Sequence, residues 1–285
     1  MAKILCTGIA TLDIVNEVAS YPLEDDEIRI LAQDRRRGGN AANTAVVLSQ
    51  LGHQCFWAGT LVNETDSLII LNDFDHYQVN YQYCQFLPQG KIPTSYITLS
   101  RETGSRTISH FRDLPEFSFE EFKKINLALF DWYHFEGRNI EETLKMITYT
   151  RKQYPDKAIS VEIEKARENC ADLIQLADII LFSRHYAVTQ EFTSAKDFCQ
   201  HMSTLYLHKT IICAWGSSGA AASDKQHYYW QDAPKVHAID TLAAGDVFNA
   251  SIIDQQIKQQ NMQQSLANAC KLAATKCTQK GICLI

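Results

Sequence analysis

Short apolar runs recur along the chain, separated by stretches with the spacing of amphipathic helices. The runs are KILCTGI (3–9), CFWAGTL (55–61), WYHFEG (132–137), AISVEIE (158–164), DIILFS (178–183) and TIICAWG (210–216). Each has the length and composition of a strand covered on both faces. Between them lie the helical patterns NAANTAVVLSQLG (40–52), IEETLKMITYTRKQY (140–154) and SAKDFCQHMSTLYL (194–207). Strands alternating with helices predict an α/β fold, a mostly parallel sheet with helices on both faces. With 285 residues, 46% of them hydrophobic, the chain can bury one large core. No repeat or linker divides it, so residues 1–285 are expected to form a single domain.

Two regions break the rhythm. Residues 12–37 and 92–112 alternate polar and apolar positions, as in EIRILAQDRRR and TSYITLSRETGSRTISHF. The RETGSR tip between two alternating runs predicts a hairpin. Together the regions predict a small β-sheet projecting from the main body, suited to serve as a lid or a dimer surface. The opening MAKILCTGIATLDIV reads as the first strand, with Asp13 at its end.

Several function classes are disfavoured at once. A net charge of -6 argues against a general nucleic-acid binder. The nine scattered cysteines, with no C-x-x-C pair, read as reduced thiols, and the nine histidines form no zinc pattern. There is no signal-peptide pattern and no apolar run of membrane-spanning length. The expectation is a cytoplasmic protein with neither nucleic acid nor membrane as partner.

The segment AIDTLAAGDVFNA (238–250) is the strongest candidate for a site. VHAID (236–240) reads as a short strand. The helix that follows begins near Ala244 and buries Val247, Phe248, Ser251 and Ile252 on one side. The amides of Ala243, Ala244 and Gly245 then lie at a helix N-terminus, a ready site for an anion such as phosphate. Asp246, in the first turn, is placed to take a proton from an attacking hydroxyl. On the residues alone a plainer reading stands beside this one: Asp240 as a turn residue and Asp246 as a partner of the helix dipole. Ala243 occupies a position where a phosphate loop usually prefers glycine, and a negative φ is expected there.

RRRGGNAANTAVVLSQLG (35–52) places two glycines before a helix start. Asn40 and Asn43 share a face there, able to bind a polyhydroxylated ligand or simply to begin the helix. Asp13 adds an acceptor suited to sugar hydroxyls. Arg35 and Arg37 share one face of the preceding strand, either as solvated edge charges or as receptors for an anionic group.

GGNAANTA near the N-terminus, together with DTLAAGDVF near the C-terminus, resembles the paired signatures of the PfkB/ribokinase family of sugar kinases. YPLEDDEIR (21–29), GSRTI (104–108), HFEGRN (134–139), VEIEK (161–165), CAWGSSGA (213–220) and AGDVFNASII (244–253) resemble its ketohexokinase branch. The resemblance implies a ribokinase-like, Rossmann-like fold with a β lid. It also implies ATP-dependent phosphorylation of a primary hydroxyl of a ketose, fructose giving fructose 1-phosphate.

By that resemblance Asp246 is the base and Ala243, Ala244 and Gly245 form the anion hole. Asp13, Gly39, Asn40, Asn43, Arg106 and Glu136 hold the sugar, and Asp25 reaches the sugar site of a neighbouring subunit in a lid-mediated homodimer. ATP lies against Arg106, Gly216, Gly219, Gly245 and Cys270, although a small apolar thiol such as Cys270 also suits a core. Mg²⁺ accompanies ATP, with Glu164 as its outer support, and K⁺ is a further implied cofactor. SRHY (183–186) stands where many members carry an Asn-x-x-Glu motif, as it also departs in the ketohexokinase branch. Two alternatives remain: a kinase of another or an anionic sugar (sulfofructose, fructose phosphate), and a non-catalytic sugar or nucleotide sensor.

Overall fold

The apolar runs become adjacent strands because each carries side chains for two layers. Strands β1 (Lys3–Thr7), β4 (Gln54–Ala58), β9 (Trp132–Glu136), β10 (Ala158–Ile163), β11 (Ile179–Phe182) and β12 (Thr210–Ala214) run parallel. β13 (Gly219–Asp224) and β14 (His227–Asp232) extend the sheet antiparallel. The order is β14-β13-β12-β11-β10-β9-β1-β4 in this computed structural model, which describes residues 1–224 and 227–284. Strand β13 was not legible in the sequence, where an alanine-rich GAAASD lacks the β-branched signature of a strand.

Period-two alternation sorts the core into its two layers. Ile4, Cys6 and Ile212 join the layer under α1 (Asn40–Gln50), α2 (Ser67–His76), α8 (Ala244–Ile257) and α9 (Met262–Cys277). Leu5, Ile211 and Cys213 join the opposite layer. That layer is covered by α3 (Phe119–Phe122), α4 (Ile140–Gln153), α5 (Cys170–Leu176), α6 (Arg184–Thr189) and α7 (Ala195–Leu205). Helix α8 departs from the expected one-sided burial. It packs between α1 and α9, and every residue from Asp246 to Gln255 is buried.

The run CFWAGTL breaks at Gly59, after which β5 (Thr60–Val62) pairs with β6 (Gln85–Leu87) in a separate two-stranded sheet. The irregular regions form a four-stranded sheet from β2 (Thr11–Val18), β3 (Ala32–Gly38), β7 (Thr94–Ser100) and β8 (Arg106–Phe111). Its order is β3-β2-β7-β8, and the RETGSR tip turns at Gly104, φ 66°. The opening segment is therefore two strands in two sheets, and Asp13 lies within β2 rather than at the end of the first strand. The break falls where the chain passes over Glu136. A Cβ on Gly8 would lie 2.6 Å from Glu136 Oε2, and the Ile9 amide donates to that oxygen at 3.0 Å.

The glycine pair joins lid to core. A side chain on Gly38 would overlap the Asp13 carboxylate, and one on Gly39 would overlap the Ile9 carbonyl. Gly39 also has φ 95° as the residue that opens α1. Among the described residues no helix is long and apolar enough to cross a membrane. Gly39→Ala is expected to cost more than about 2 kcal/mol, adding a clash to left-handed strain, whereas Gly104→Ala in open space costs about 1 kcal/mol. Urea unfolding of the two variants checks this; equal small losses would contradict the packing described.

Candidate active site

Ligands of open parallel sheets bind beyond the carboxyl ends of the strands. Here that end is roofed by the small sheet, leaving a cleft of about 710 Å³, a size suited to small metabolites. Alternation aims one face of the lid inward. Asp13, Ser95, Arg36 and His110 occupy paired positions across β2, β7, β3 and β8, and all line the cleft.

Asp246 opens the opposite wall. It is buried in the first turn of α8 and accepts a hydrogen bond from Asn43 Nδ2 on α1 at 2.5 Å. Burial pushes its carboxyl up to about 7, an effect the nearby Glu136 and Glu164 reinforce and Asn43 opposes. Asn43 is itself buried, and its carbonyl accepts from Arg37, so one amide hydrogen remains for a ligand. Asn40 Nδ2 lies 3.1 Å from Glu162 Oε1 and 3.5 Å from Glu164 Oε2.

Glu162 was not anticipated, although Glu162 and Glu164 share strand parity in VEIEK. Ile159, Val161 and Ile163 face the core, which turns Glu162 toward the cleft. Its Oε2 is buried without a hydrogen-bond partner among the described residues, and burial beside Asp246 and Glu136 raises its carboxyl well above the usual range. Glu136 lies behind the cleft wall and accepts from the Ile9 and Ala41 amides at 3.0 and 3.3 Å. Burial pushes it up to about 7. Burial likewise raises Asp13, against the hydrogen bonds of Thr11 and Ser95 and the charge of Arg36. Among the described residues no group of three His, Cys, Asp or Glu forms a metal cage. A Mg²⁺ carried by phosphates needs only one or two carboxylates, and the unpartnered Glu162 oxygen beside Glu164 fits that need.

The loop before α8 corrects two expectations. Residues 236–240 form no strand, and Ala243 is left-handed, with φ 62° and ψ 11° rather than a negative φ. Both ends of the loop are fixed. Asp240 meets Arg36 at 2.8 Å and accepts from the Leu242 and Gly281 amides, while Asp246 is held by Asn43. The chain reverses between these anchors, and the left-handed residue makes the reversal at about 1–2 kcal/mol of strain. Ala244 and Gly245 then begin α8: the Ala244 amide makes one long bond to the Thr241 carbonyl at 3.4 Å, and the Gly245 amide is one that the helix itself leaves unbonded. A Cβ on Gly245 would meet nothing within 4 Å, so open space lies beside Gly245. Asp240 is thus a junction rather than a simple turn residue. Burial tends to raise its carboxyl, but Arg36 and Lys276 outweigh this and hold it below the ordinary range.

The remaining candidates separate. Arg106 lines the cleft and donates to Thr241 Oγ1 at 2.7 Å. Arg35 and Arg37 are not open receptors: Arg35 pairs with Asp66 at 2.6 Å, and Arg37 with Asp73 and Asn43. Asp25 is exposed in the loop before β3 and does not line its own cleft. Gly216 and Gly219 form the turn after β12, outside the cleft lining. Cys270 is buried in the α9 core beside the Gln231 carbonyl, and burial pushes its thiol up to about 11.

Comparison with known proteins agrees with this architecture. The family model described as pfkB family carbohydrate kinase matches residues 1–284. Ketohexokinase of Mus musculus is 37% identical, covering 98% of this chain and 97% of its own. An ATP-dependent ribose-1-phosphate kinase of Halopiger xanaduensis is 21% identical, covering 95% and 90%. The structure of Arabidopsis thaliana ribokinase complexed with ribose and ATP has a TM-score of 0.80 at 17% identity, covering 98% of this chain and 94% of its own.

A carboxylate buried with a raised pKa favours folding only while it is protonated. The folded chain then binds more protons than the unfolded one between the ordinary Asp range and about 7, so stability falls as pH rises through that window. Asp246→Asn is therefore expected to raise the melting temperature at pH 8 more than at pH 5. An equal shift at both pH values would show that Asp246 is not held near neutrality.

Proposed function

This chain belongs to the pfkB family of carbohydrate kinases, and on that premise we propose that it phosphorylates a primary hydroxyl of a ketose, fructose giving fructose 1-phosphate. The observation that carries the reading is Asp246: a buried carboxylate lifted to about 7, one residue beyond the amides that begin α8. A base with that pKa accepts a hydroxyl proton efficiently at neutral pH. The mouse relative, at 37% identity, supports a ketohexose as the sugar.

In the proposed reaction Asp13, Asn40 and the free amide hydrogen of Asn43 bind sugar hydroxyls, with Arg106 and His110 closing from the lid. Asp246 removes the proton as the hydroxyl oxygen attacks the γ-phosphorus. The bond from that phosphorus to the bridging oxygen breaks, and ADP leaves. Charge on the transferred group falls on the amides of Ala244 and Gly245, which require no reorganisation. Glu162 and Glu164 would support a Mg²⁺ carried by ATP, which would neutralise phosphate charge. The turn from Gly216 to Gly219 is the proposed edge of the nucleotide site by family resemblance. An anionic sugar is disfavoured, because Arg35 and Arg37 already carry carboxylate partners.

With fructose, ribose, adenosine, fructose 6-phosphate and sulfofructose offered alongside Mg²⁺-ATP, with and without K⁺, fructose is expected to give the highest kcat/KM. A strong preference for an anionic sugar, or ligand binding without ADP from any of them, would overturn the proposal. Asp246→Asn is expected to lower kcat by at least about a hundredfold. In the parent protein kcat/KM is expected to fall as pH drops below about 7, where Asp246 becomes protonated; a pH-independent rate there would remove Asp246 as the base.

We further propose that the chain forms a homodimer through the lid. Tyr96 and Phe111 are exposed on the lid, and Ile28, Ile30 and Leu31 on the loop leading into β3. That loop also exposes Asp25, which does not line its own cleft and which the proposed dimer would offer to the second copy. Light scattering is expected to give twice the monomer mass, and a monomer at working concentration would refute the pairing.

A further inference from the structure

Behind the loop that begins α8 lies a cation that the mechanism above does not use. Lys276, at the end of α9, is fully buried at 0% exposure and does not line the cleft. Its Nζ donates to the Asp240 carbonyl oxygen at 2.7 Å and lies 3.3 Å from Asp240 Oδ2. The neighbouring Cys277 carbonyl accepts from the Ile239 and Asp240 amides at 2.7 and 3.2 Å. An ammonium withdrawn from water needs oxygen partners in fixed positions. Lys276 therefore fixes the direction of the Asp240 peptide, while the Asp240 carboxylate ties that point to Arg36 of the lid and to the Leu242 and Gly281 amides.

We propose that Lys276 is a positioning residue for phosphoryl transfer: an internal cation that holds residues 240–243 in the reversed path aiming the Ala244 and Gly245 amides, and that adds positive potential behind them. The inference rests on the reading that those amides receive the transferred group. Lys276 touches no ligand, so it acts through Asp240. Away from bulk water a fixed charge keeps much of its reach, and the charge that develops in phosphoryl transfer is the one it favours. A purely structural lysine would set stability alone, whereas this one sets the rate of a bound substrate.

The test uses Lys276→Met, which fills the space without charge, and Lys276→Ala, which leaves room for a small ammonium ion. Both are assayed by sugar-dependent ADP release beside the parent and Asp246→Asn, with folding followed by thermal melting. Expected for both folded lysine variants is a kcat loss of at least about a hundredfold, comparable with losing an oxyanion donor, while KM for the sugar moves less than about threefold. Ammonium or methylammonium should restore at least about tenfold of the Lys276→Ala rate, and tetramethylammonium at equal ionic strength should not.

A folded variant within about threefold of the parent kcat overturns the proposal, as does equal response to the small and bulky cations. If neither single variant folds, Asp240→Asn/Lys276→Met removes both buried charges together. That double variant is expected to fold and turn over slowly, and parent-like turnover overturns the proposal. A fully active Asp246→Asn would instead remove the active-site reading, leaving the cation-rescue pattern as a separate result.

Discussion

Four carboxylates converge where the strands of the main sheet end. Burial raises the proton affinity of Asp246, Glu136 and Glu162, and the negative charges around each of them, Glu164 included, reinforce it. Left uncompensated, like charges in so confined a space would be strongly destabilising. The amides of Asn40 and Asn43, the Ile9 and Ala41 amides on Glu136, and the start of α8 share that charge out. The two glycines before α1 serve the same arrangement by letting the chain pass over Asp13 and Ile9 without a side chain intervening. A site poised in this way takes up positive charge or a proton readily, and both suit the handling of a phosphorylated nucleotide and a hydroxyl.

The lid depends on this site as well as covering it. Arg36 from β3 and Arg106 from β8 reach consecutive residues of the loop before α8, Asp240 and Thr241. The edges of the lid sheet are thus fastened to the segment that presents the amides. Lys276 fastens the same segment from the side of the core. Ala243 is left-handed because the path between these anchors is short, and its strain is small against the burial of α8 on all sides.

The parallel strands of the main body were readable because buried parallel strands leave continuous apolar runs, and the lid because its strands alternate, but the order of the strands was not. Asn40, Asn43, Arg106, Glu164 and the α8 start were likewise readable as candidates, and the structure gathers them around one cleft with Asp13, whose place within β2 was not. The backbone sign at Ala243 was not, since it depends on contacts from Lys276 and Gly281, far along the chain. Arg36 was passed over for its neighbours because strand parity does not say which face looks inward until the sheet is placed. Glu162 was passed over for Glu164, though the alternation in VEIEK offered the signal. Antiparallel β13 was hidden by small residues whose strand state is decided by packing under α7 and α9, whereas the aromatic HYYWQD of β14 offered a strand signal that was passed over.

The central claim is geometric: a sugar hydroxyl meets Asp246 while the phosphate to be transferred meets the start of α8. A crystal structure with fructose and a non-hydrolysable ATP analogue tests it most directly. The account predicts a primary hydroxyl oxygen within hydrogen-bond distance of an Asp246 carboxylate oxygen, and a γ-phosphate oxygen within the same distance of the Ala244 or Gly245 amide. Sugar bound with its primary hydroxyls turned away from Asp246, or a triphosphate that ends elsewhere than at those amides, would contradict it.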